Sequence, residues 1–225
     1  MSATLSVADT DSRLIRWLLL CGALAPLMMV AFLIVAGLLT PGYSHVADTV
    51  SQLGADGRPH PEVMNAGFIA YGLLINGFAY GLYRQLGRGK GAKAIWVSLG
   101  ISGAGLLLAG IFHVDPKMLG APPADSPVTL EGGLHAGFAQ VAFLAFAVAI
   151  MIFAWTVSLD PAWRGFTGMS LAVVFLYSVV AVMFWSDVAV SIEGALQRSF
   201  FGIAVVWVEA VSLRSLRLAR GAETR

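Results

Sequence analysis

The sequence predicts an all-α, polytopic membrane protein with six transmembrane helices. The chain has 225 residues, of which 58% are hydrophobic and only 12% are charged, whereas an ordinary water-soluble domain is about a quarter charged. Its mean hydropathy is +0.79. Six stretches of about 20 residues are almost free of charge, and this is the length that crosses ~30 Å of hydrocarbon as a helix.

No linker divides the six stretches into two groups, so we expect a single domain over residues 1–225. The predicted spans are 17–39, 63–82, 94–112, 136–157, 166–185 and 194–213. Pro41 and Gly42 end the first span, and the small residues of SGAGLLLAG allow close packing of the third. We expect the first span to be retained, because its uncharged length exceeds that of a signal-peptide core. The sixth span is unusual, because it includes Arg198 and Glu209.

The distribution of basic residues predicts the orientation. With six spans both termini share one side, and all Lys and Arg residues except Arg58, Lys117 and Arg198 fall on that side. Because cytoplasmic segments carry the excess of Lys and Arg, we expect both termini in the cytoplasm and the chain in the cell inner (plasma) membrane. All four histidines, and the acids Asp125 and Asp187, then belong to the outer side.

The first outer loop predicts a short amphipathic helix. In PGYSHVADTVSQLGADGRP, Ser44 is a candidate N-cap and Gly54 a candidate stop, which outlines a helix from about His45 to Leu53. Its polar face would be directed at water or at other polar groups at the mouth of the bundle.

His113 and His135 are the leading candidates for a functional site. His113 ends the third span and His135 begins the fourth, so antiparallel helices place them at about the same depth, with Asp115 close by. Together with His45, these side chains could hold a zinc ion, which would activate water for hydrolysis. The alternative is a hydrogen-bonded histidine and aspartate pair that fastens the helix ends.

Arg198 adds a cation to the same side. A guanidinium within a span normally faces the bundle interior with a partner or ligand. Glu193, Asp187 or Asp115 could pair with it, and so could a phosphate or carboxylate headgroup.

Four stretches resemble the motifs of the bacterial membrane proteins grouped as domain of unknown function 998. They are YSHVADTVSQLGADG, GIFHVDP, LEGGLHAGFAQVAF and GALQRSFFG. The resemblance covers most of the chain, from Pro41 to about Phe201. The resemblance implies a six-helix membrane protein with Ser51, His113, Asp115, His135 and Arg198 at characteristic positions, and implies no established activity.

The arrangement is also distantly similar to the alkaline-ceramidase-like membrane hydrolases, in which a Ser, an Asp and three His surround zinc. This sequence departs from that pattern, because it lacks the paired histidines of a late helix and has six spans instead of seven.

Three functional hypotheses follow. The first is a metal-dependent hydrolase or transferase acting on a lipid or another hydrophobic substrate. In it His113, Asp115 and His135 bind zinc or act as acid and base, Ser51 assists or acts as the nucleophile, and Arg198 stabilises an anionic headgroup or oxyanion. The second is a noncatalytic protein that binds or transports a lipid or small molecule. The third is a bis-histidine haem protein. We expect membrane lipid as a partner and no nucleic acid.

Overall fold

The computed structural model describes residues 2–117, 119, 128–186 and 189–223, with side chains described from residue 12 to residue 221 within these ranges. Asp125 and Asp187, named above, lie outside the described residues. Within that part of the chain the regular structure is entirely helical. The six long helices are α1 Ser2–Leu39, α2 Pro61–Gln85, α3 Lys90–Ile111, α4 Leu130–Thr156, α5 Phe166–Trp185 and α6 Glu193–Glu223. All six are long and apolar enough to cross a membrane, as the sequence predicts.

The helices form a closed ring in chain order. Each packs against the next, and α6 returns to pack against α1. Residues from the beginning of α1 and the end of α6 line a common cavity, so both termini lie at one end of the ring. We call the opposite end, formed by residues 40–60, 112–117, 128–129 and 189–192, the distal end.

Small residues and aromatic residues hold different parts of the ring together. On α2 and α3, a side chain at Gly72 would overlap the Gly103 carbonyl, so these helices approach as closely as the small residues of the third span predict. Between α4, α5 and α6 the contact is aromatic. Trp207 packs edge-on against Phe146 and Phe153 and donates its indole N–H to Ser170 at 2.9 Å. The side of the ring formed by α4, α5 and α6 is therefore built from large side chains.

Two boundaries differ from the predicted ones in ways that affect the site. α4 begins at Leu130, six residues earlier than expected, because Thr129 caps it by accepting the Gly132 N–H at 3.0 Å. His135 therefore lies inside a helix and not at its start. The expected helix from His45 to Leu53 is reduced to one 3-10 turn at Val50–Gly54.

Candidate functional site

A cavity of about 600 Å3 opens at the distal end of the ring. Its walls combine polar groups from the loops with apolar groups from the helices. Along α4 it extends from Gly132 to Phe143, which is about 16 Å of helix. Its lining residues are Thr49, Ser51, Gln52, Val114, Asp115, Pro116, Lys117, Val128, Gly132, His135, Ala136, Ala139, Gln140, Phe143, Phe184, Trp185, Glu193 and Gln197.

Ser51 and His135 meet at the wall of this cavity. The Ser51 hydroxyl lies 3.0 Å from Nε2 of His135. His135 is only 4% exposed, while Ser51 is half-buried. Two residues separated by 84 positions are thus held at hydrogen-bond distance.

The other ring nitrogen fixes the tautomer of His135. Nδ1 lies 2.7 Å from the Ala109 carbonyl and 2.9 Å from the Phe112 carbonyl. Carbonyl oxygens only accept, so Nδ1 carries the proton and, in the neutral ring, Nε2 is left to accept the Ser51 hydroxyl. These carbonyls belong to the last turn and the end of α3, where the helix dipole favours a positive charge. The two carbonyls therefore favour an imidazolium at His135, whereas the burial of the ring opposes the charge.

Ser51 is positioned by the short 3-10 turn and its long-range contacts. The Val50 N–H, at the start of the turn, donates to Oε1 of Gln197 on α6 at 2.5 Å. At the end of the turn, Asn65 of α2 donates to the Gly54 carbonyl at 3.0 Å. The turn is therefore held between two helices, and an orientation of Ser51 toward His135 follows from tertiary contacts.

Arg198 is engaged by the first loop and does not line the cavity. Its Nη1 donates to the carbonyls of His45 at 2.7 Å, Asp48 at 2.9 Å and Gly194 at 2.8 Å. Its Nη2 donates to the Tyr43 hydroxyl. The neighbouring Ala195 N–H also donates to the Val46 carbonyl at 2.9 Å. Arg198 thus fastens residues 43–48 to the beginning of α6.

Asp115 organises the start of α4. Its carboxylate accepts the Thr129 N–H at 3.0 Å and the Thr129 hydroxyl at 2.6 Å. Thr129 in turn caps the helix that carries His135. A side chain at Gly132 would overlap the Asp115 carboxylate, so glycine is needed there for the two groups to approach. Asp115 lines the cavity and also fastens a helix end, but it does so through Thr129 and not through a histidine, as the alternative prediction has it.

Gln52 ties the first loop to the segment after α3. Its Nε2 donates to the Asp115 carbonyl at 3.0 Å, and its Oε1 accepts the Lys117 N–H at 2.8 Å. Lys117 reaches across the cavity to Glu193, with Nζ 3.4 Å from the carboxylate. The described cavity wall therefore includes one cation, Lys117, and two carboxylate groups, Asp115 and Glu193.

His113 and His45 lie outside the set of residues that line the cavity. Nδ1 of His113 lies 2.7 Å from the Asp56 carboxylate, and its backbone N–H donates to Glu131 at 2.9 Å. The ring of His45 packs edge-on against Tyr43, with centroids 5.1 Å apart. In the described ranges, no group of three or more His, Cys, Asp or Glu side chains is arranged to hold a metal ion. Both nitrogens of His135 already have partners, so the donor set does not fit the zinc site expected from sequence, which stays a prediction.

Burial perturbs two titratable groups in the first loop. It raises the pKa of Tyr43 to about 12, against the opposing effect of the Arg198 charge. Partial burial, and then the same positive charge, lowers the pKa of His45. The Tyr43 hydroxyl therefore stays protonated at neutral pH and donates to the carbonyls of Asp48 and Thr49.

Two residues of this site were not predicted from the sequence. Gln197 precedes Arg198 and lines the cavity, while Thr129 links Asp115 to α4. A signal existed for Gln197, because an uncharged amide within an apolar span is unusual. Thr129 carries no such signal, since threonines before helices are common.

A family model described as a protein of unknown function (DUF998) matches residues 23–214. No curated protein and no solved structure matches the chain.

Proposed function

This chain belongs to the DUF998 family of proteins of unknown function, and we propose that it is a membrane-embedded hydrolase or transferase acting on a lipid-like ester or another hydrophobic acyl substrate. The observation that carries the proposal is the Ser51 and His135 pair at 3.0 Å on the wall of a cavity of about 600 Å3. In the proposed reaction Ser51 is the nucleophile and His135 the general base.

The roles follow from the hydrogen bonds of His135. Ser51 Oγ attacks the acyl carbonyl carbon while Nε2 of His135 takes the hydroxyl proton. The imidazolium then gives this proton to the leaving oxygen, and an acyl group remains on Ser51. Water, or an alcohol in a transferase, reverses these steps and releases the acyl group. The carbonyls of Ala109 and Phe112 orient the imidazole, as a carboxylate does in a Ser-His-Asp triad.

Gln197 is our candidate for stabilising the oxyanion. It lines the cavity and is 5% exposed. Its Oε1 accepts the N–H of Val50, which precedes the nucleophile, so the amide NH2 group is left to donate to a ligand. An amide donor next to the nucleophile is the kind of group that stabilises a developing oxyanion.

The cavity walls favour a substrate with an apolar chain. Below His135 the lining is mainly apolar, with Ala136, Ala139 and Phe143 on α4 and two aromatic residues at the end of α5. About 12 Å of helix separates the reactive pair from Phe143, which accommodates several methylene groups of an acyl chain.

Ester hydrolysis by purified protein tests the proposal. We expect turnover of a p-nitrophenyl ester with a medium-length acyl chain, lowered on the order of 10^4-fold by Ser51→Ala and by His135→Ala. Ser44→Ala is the matched control, because Ser44 lies in the same loop and its hydroxyl accepts the Ala47 N–H. Turnover that persists in Ser51→Ala would exclude the proposed nucleophile. Retained lipid without any turnover in the parent protein would favour noncatalytic binding or transport instead.

We further infer that the distal end faces the outer side of the plasma membrane, with both termini in the cytoplasm. The excess of Lys and Arg at the end that holds the termini supports this orientation. A green fluorescent protein fused to the carboxyl terminus should fluoresce, and an alkaline phosphatase fusion at the same position should be inactive. The opposite pattern would reverse the orientation.

A further inference from the structure

A second candidate site lies at the end of the ring that holds the termini. A cavity of about 330 Å3 between α1 and α6 is lined by Arg13, Arg16, Trp17, Leu20, Leu216 and Arg220. It is at the opposite end from Ser51, and none of its lining residues belongs to the distal cavity. Its three guanidinium groups take no part in the proposed reaction.

The lining residues share one face of each helix. On α1, Arg13, Arg16 and Leu20 recur at the spacing of successive helical turns, and Leu216 and Arg220 do so on α6. The described residues that line this cavity include no acid. Arginine binds phosphate in a bidentate way and is favoured over lysine at such sites. The cluster therefore has the charge to bind a phosphate group, and its three arginines line one cavity.

The same two helices continue into an apolar groove within the membrane-spanning segments. Its volume is about 570 Å3, and its lining residues are Pro26, Leu27, Val30, Val205, Val206, Glu209, Ala210 and Leu213. Val206 lies 14 positions before Arg220, which is about 21 Å along α6. A molecule with its phosphate at the arginines would reach this groove only with a long apolar chain.

Trp17 lies beside the arginines and is 69% exposed. Indole rings of this kind concentrate at the level of lipid headgroups, where an apolar ring and a polar N–H both find partners. The order from the end of the ring inward is thus arginines with an interfacial tryptophan, then a groove that is apolar except for Glu209. This order matches a phospholipid and not a free phosphate ion.

We propose that the groove between α1 and α6 binds one anionic phospholipid, with its phosphate on Arg13, Arg16 and Arg220 and an acyl chain against the apolar groove that contains Val206. Basic pockets between transmembrane helices are the sites at which proteins select anionic lipids. The inference does not depend on the reaction proposed for Ser51.

Native mass spectrometry of the full chain, titrated with dioleoylphosphatidylglycerol or dioleoylphosphatidylcholine, tests this site. We expect the first phosphatidylglycerol to bind at least tenfold more tightly than phosphatidylcholine. Replacing the three arginines by glutamine should weaken phosphatidylglycerol binding by about fivefold per residue and on the order of 100-fold together. The matched control carries Arg88→Gln, Lys93→Gln and Arg217→Gln, which remove three exposed charges from the same end outside the cavity.

Three outcomes would overturn the proposal. One is equal affinity for the two lipids in the parent protein. Another is an equal loss in the control, which would indicate a diffuse charge effect. The third is inorganic phosphate at millimolar concentration displacing the lipid, which would indicate an ion site. If the triple variant does not fold, Arg220→Gln alone, at an exposed position, should weaken phosphatidylglycerol binding by about fivefold. Val206→Trp should fill the apolar groove and weaken lipid binding as well.

Discussion

Gln197 allows the most detailed prediction, because its amide oxygen has a structural role and its amide NH2 group has a proposed chemical role. Oε1 accepts the Val50 N–H at 2.5 Å, and the NH2 group is assigned to the oxyanion. Gln197→Leu removes both. Val50 is only 3% exposed, so its N–H would be left buried and unpaired. An unpaired buried donor lowers the free energy of unfolding by about 1 to 3 kcal/mol.

A second substitution separates the structural role of Gln197 from its chemical role. Val50 begins the 3-10 turn, and Thr49 before it is extended, at φ −67° and ψ 156°. Proline is tolerated at such a position and has no N–H to satisfy. Val50→Pro combined with Gln197→Leu removes both partners of the bond, which is nearly neutral for stability. We therefore expect the double variant to regain most of the lost free energy of unfolding.

Reactivity should not return with stability. Removing one oxyanion donor lowers the rate by about 10^2 to 10^3-fold, and the double variant still lacks the amide NH2 group of Gln197. The assay pairs unfolding by sodium dodecyl sulfate in mixed micelles with the rate at which a fluorophosphonate modifies Ser51. If the double variant regains both stability and labelling rate, Gln197 acts only by holding Val50, and its role at the oxyanion is wrong.

Three further predictions concern the residues that hold the site together. Arg198→Lys should lower the free energy of unfolding by about 2 kcal/mol or more, because one ammonium cannot replace bonds to three carbonyls and Tyr43; unchanged stability in the same detergent titration would refute this structural role. Gly132→Ala should slow labelling of Ser51 at least tenfold by displacing Asp115, whereas Gly137→Ala, which meets open space, should not; equal rates in the two variants would contradict it. Burial raises the pKa of Tyr43 to about 12, so its contribution to stability should be present below pH 10 and lost between about pH 10 and 12. Tyr43→Phe should therefore flatten the pH dependence of the free energy of unfolding in that range by up to about 1.4 kcal/mol per pH unit; identical slopes in the parent protein and the variant would refute it.

The six helices could be predicted from the sequence because hydropathy is a local property. An uncharged run of about 20 residues has few alternatives to a membrane span. The boundaries of α4 could not be predicted in the same way. Its start depends on Thr129 and on the Asp115 carboxylate, which is 14 residues away, and no helical periodicity records that contact.

The first loop shows a similar limit. Its polar pattern predicts a helix from His45 to Leu53, but Arg198 binds the carbonyls of His45 and Asp48 from 153 and 150 residues away. These bonds hold the backbone in turns, and only Val50–Gly54 is helical. A contact with a distant guanidinium outweighs the local preference.

For the site, the residue types were informative and their pairing was not. The sequence singles out Ser51, Asp115 and His135, and all three line one cavity. It groups His113 with His135 because both lie near helix ends, yet His113 pairs with Asp56 while His135 faces Ser51. Depth in the membrane can be read from a hydropathy pattern, but the direction of a side chain around its helix axis depends on packing.

The central claim is that Ser51 is a nucleophile activated by His135. Its most direct test is mass spectrometry of the purified, folded protein after treatment with a long-chain alkyl fluorophosphonate. We predict one covalent adduct, located on Ser51, present in the parent protein and lost in His135→Ala. The absence of an adduct in the folded parent, or an adduct that forms equally well without the imidazole, would contradict the claim.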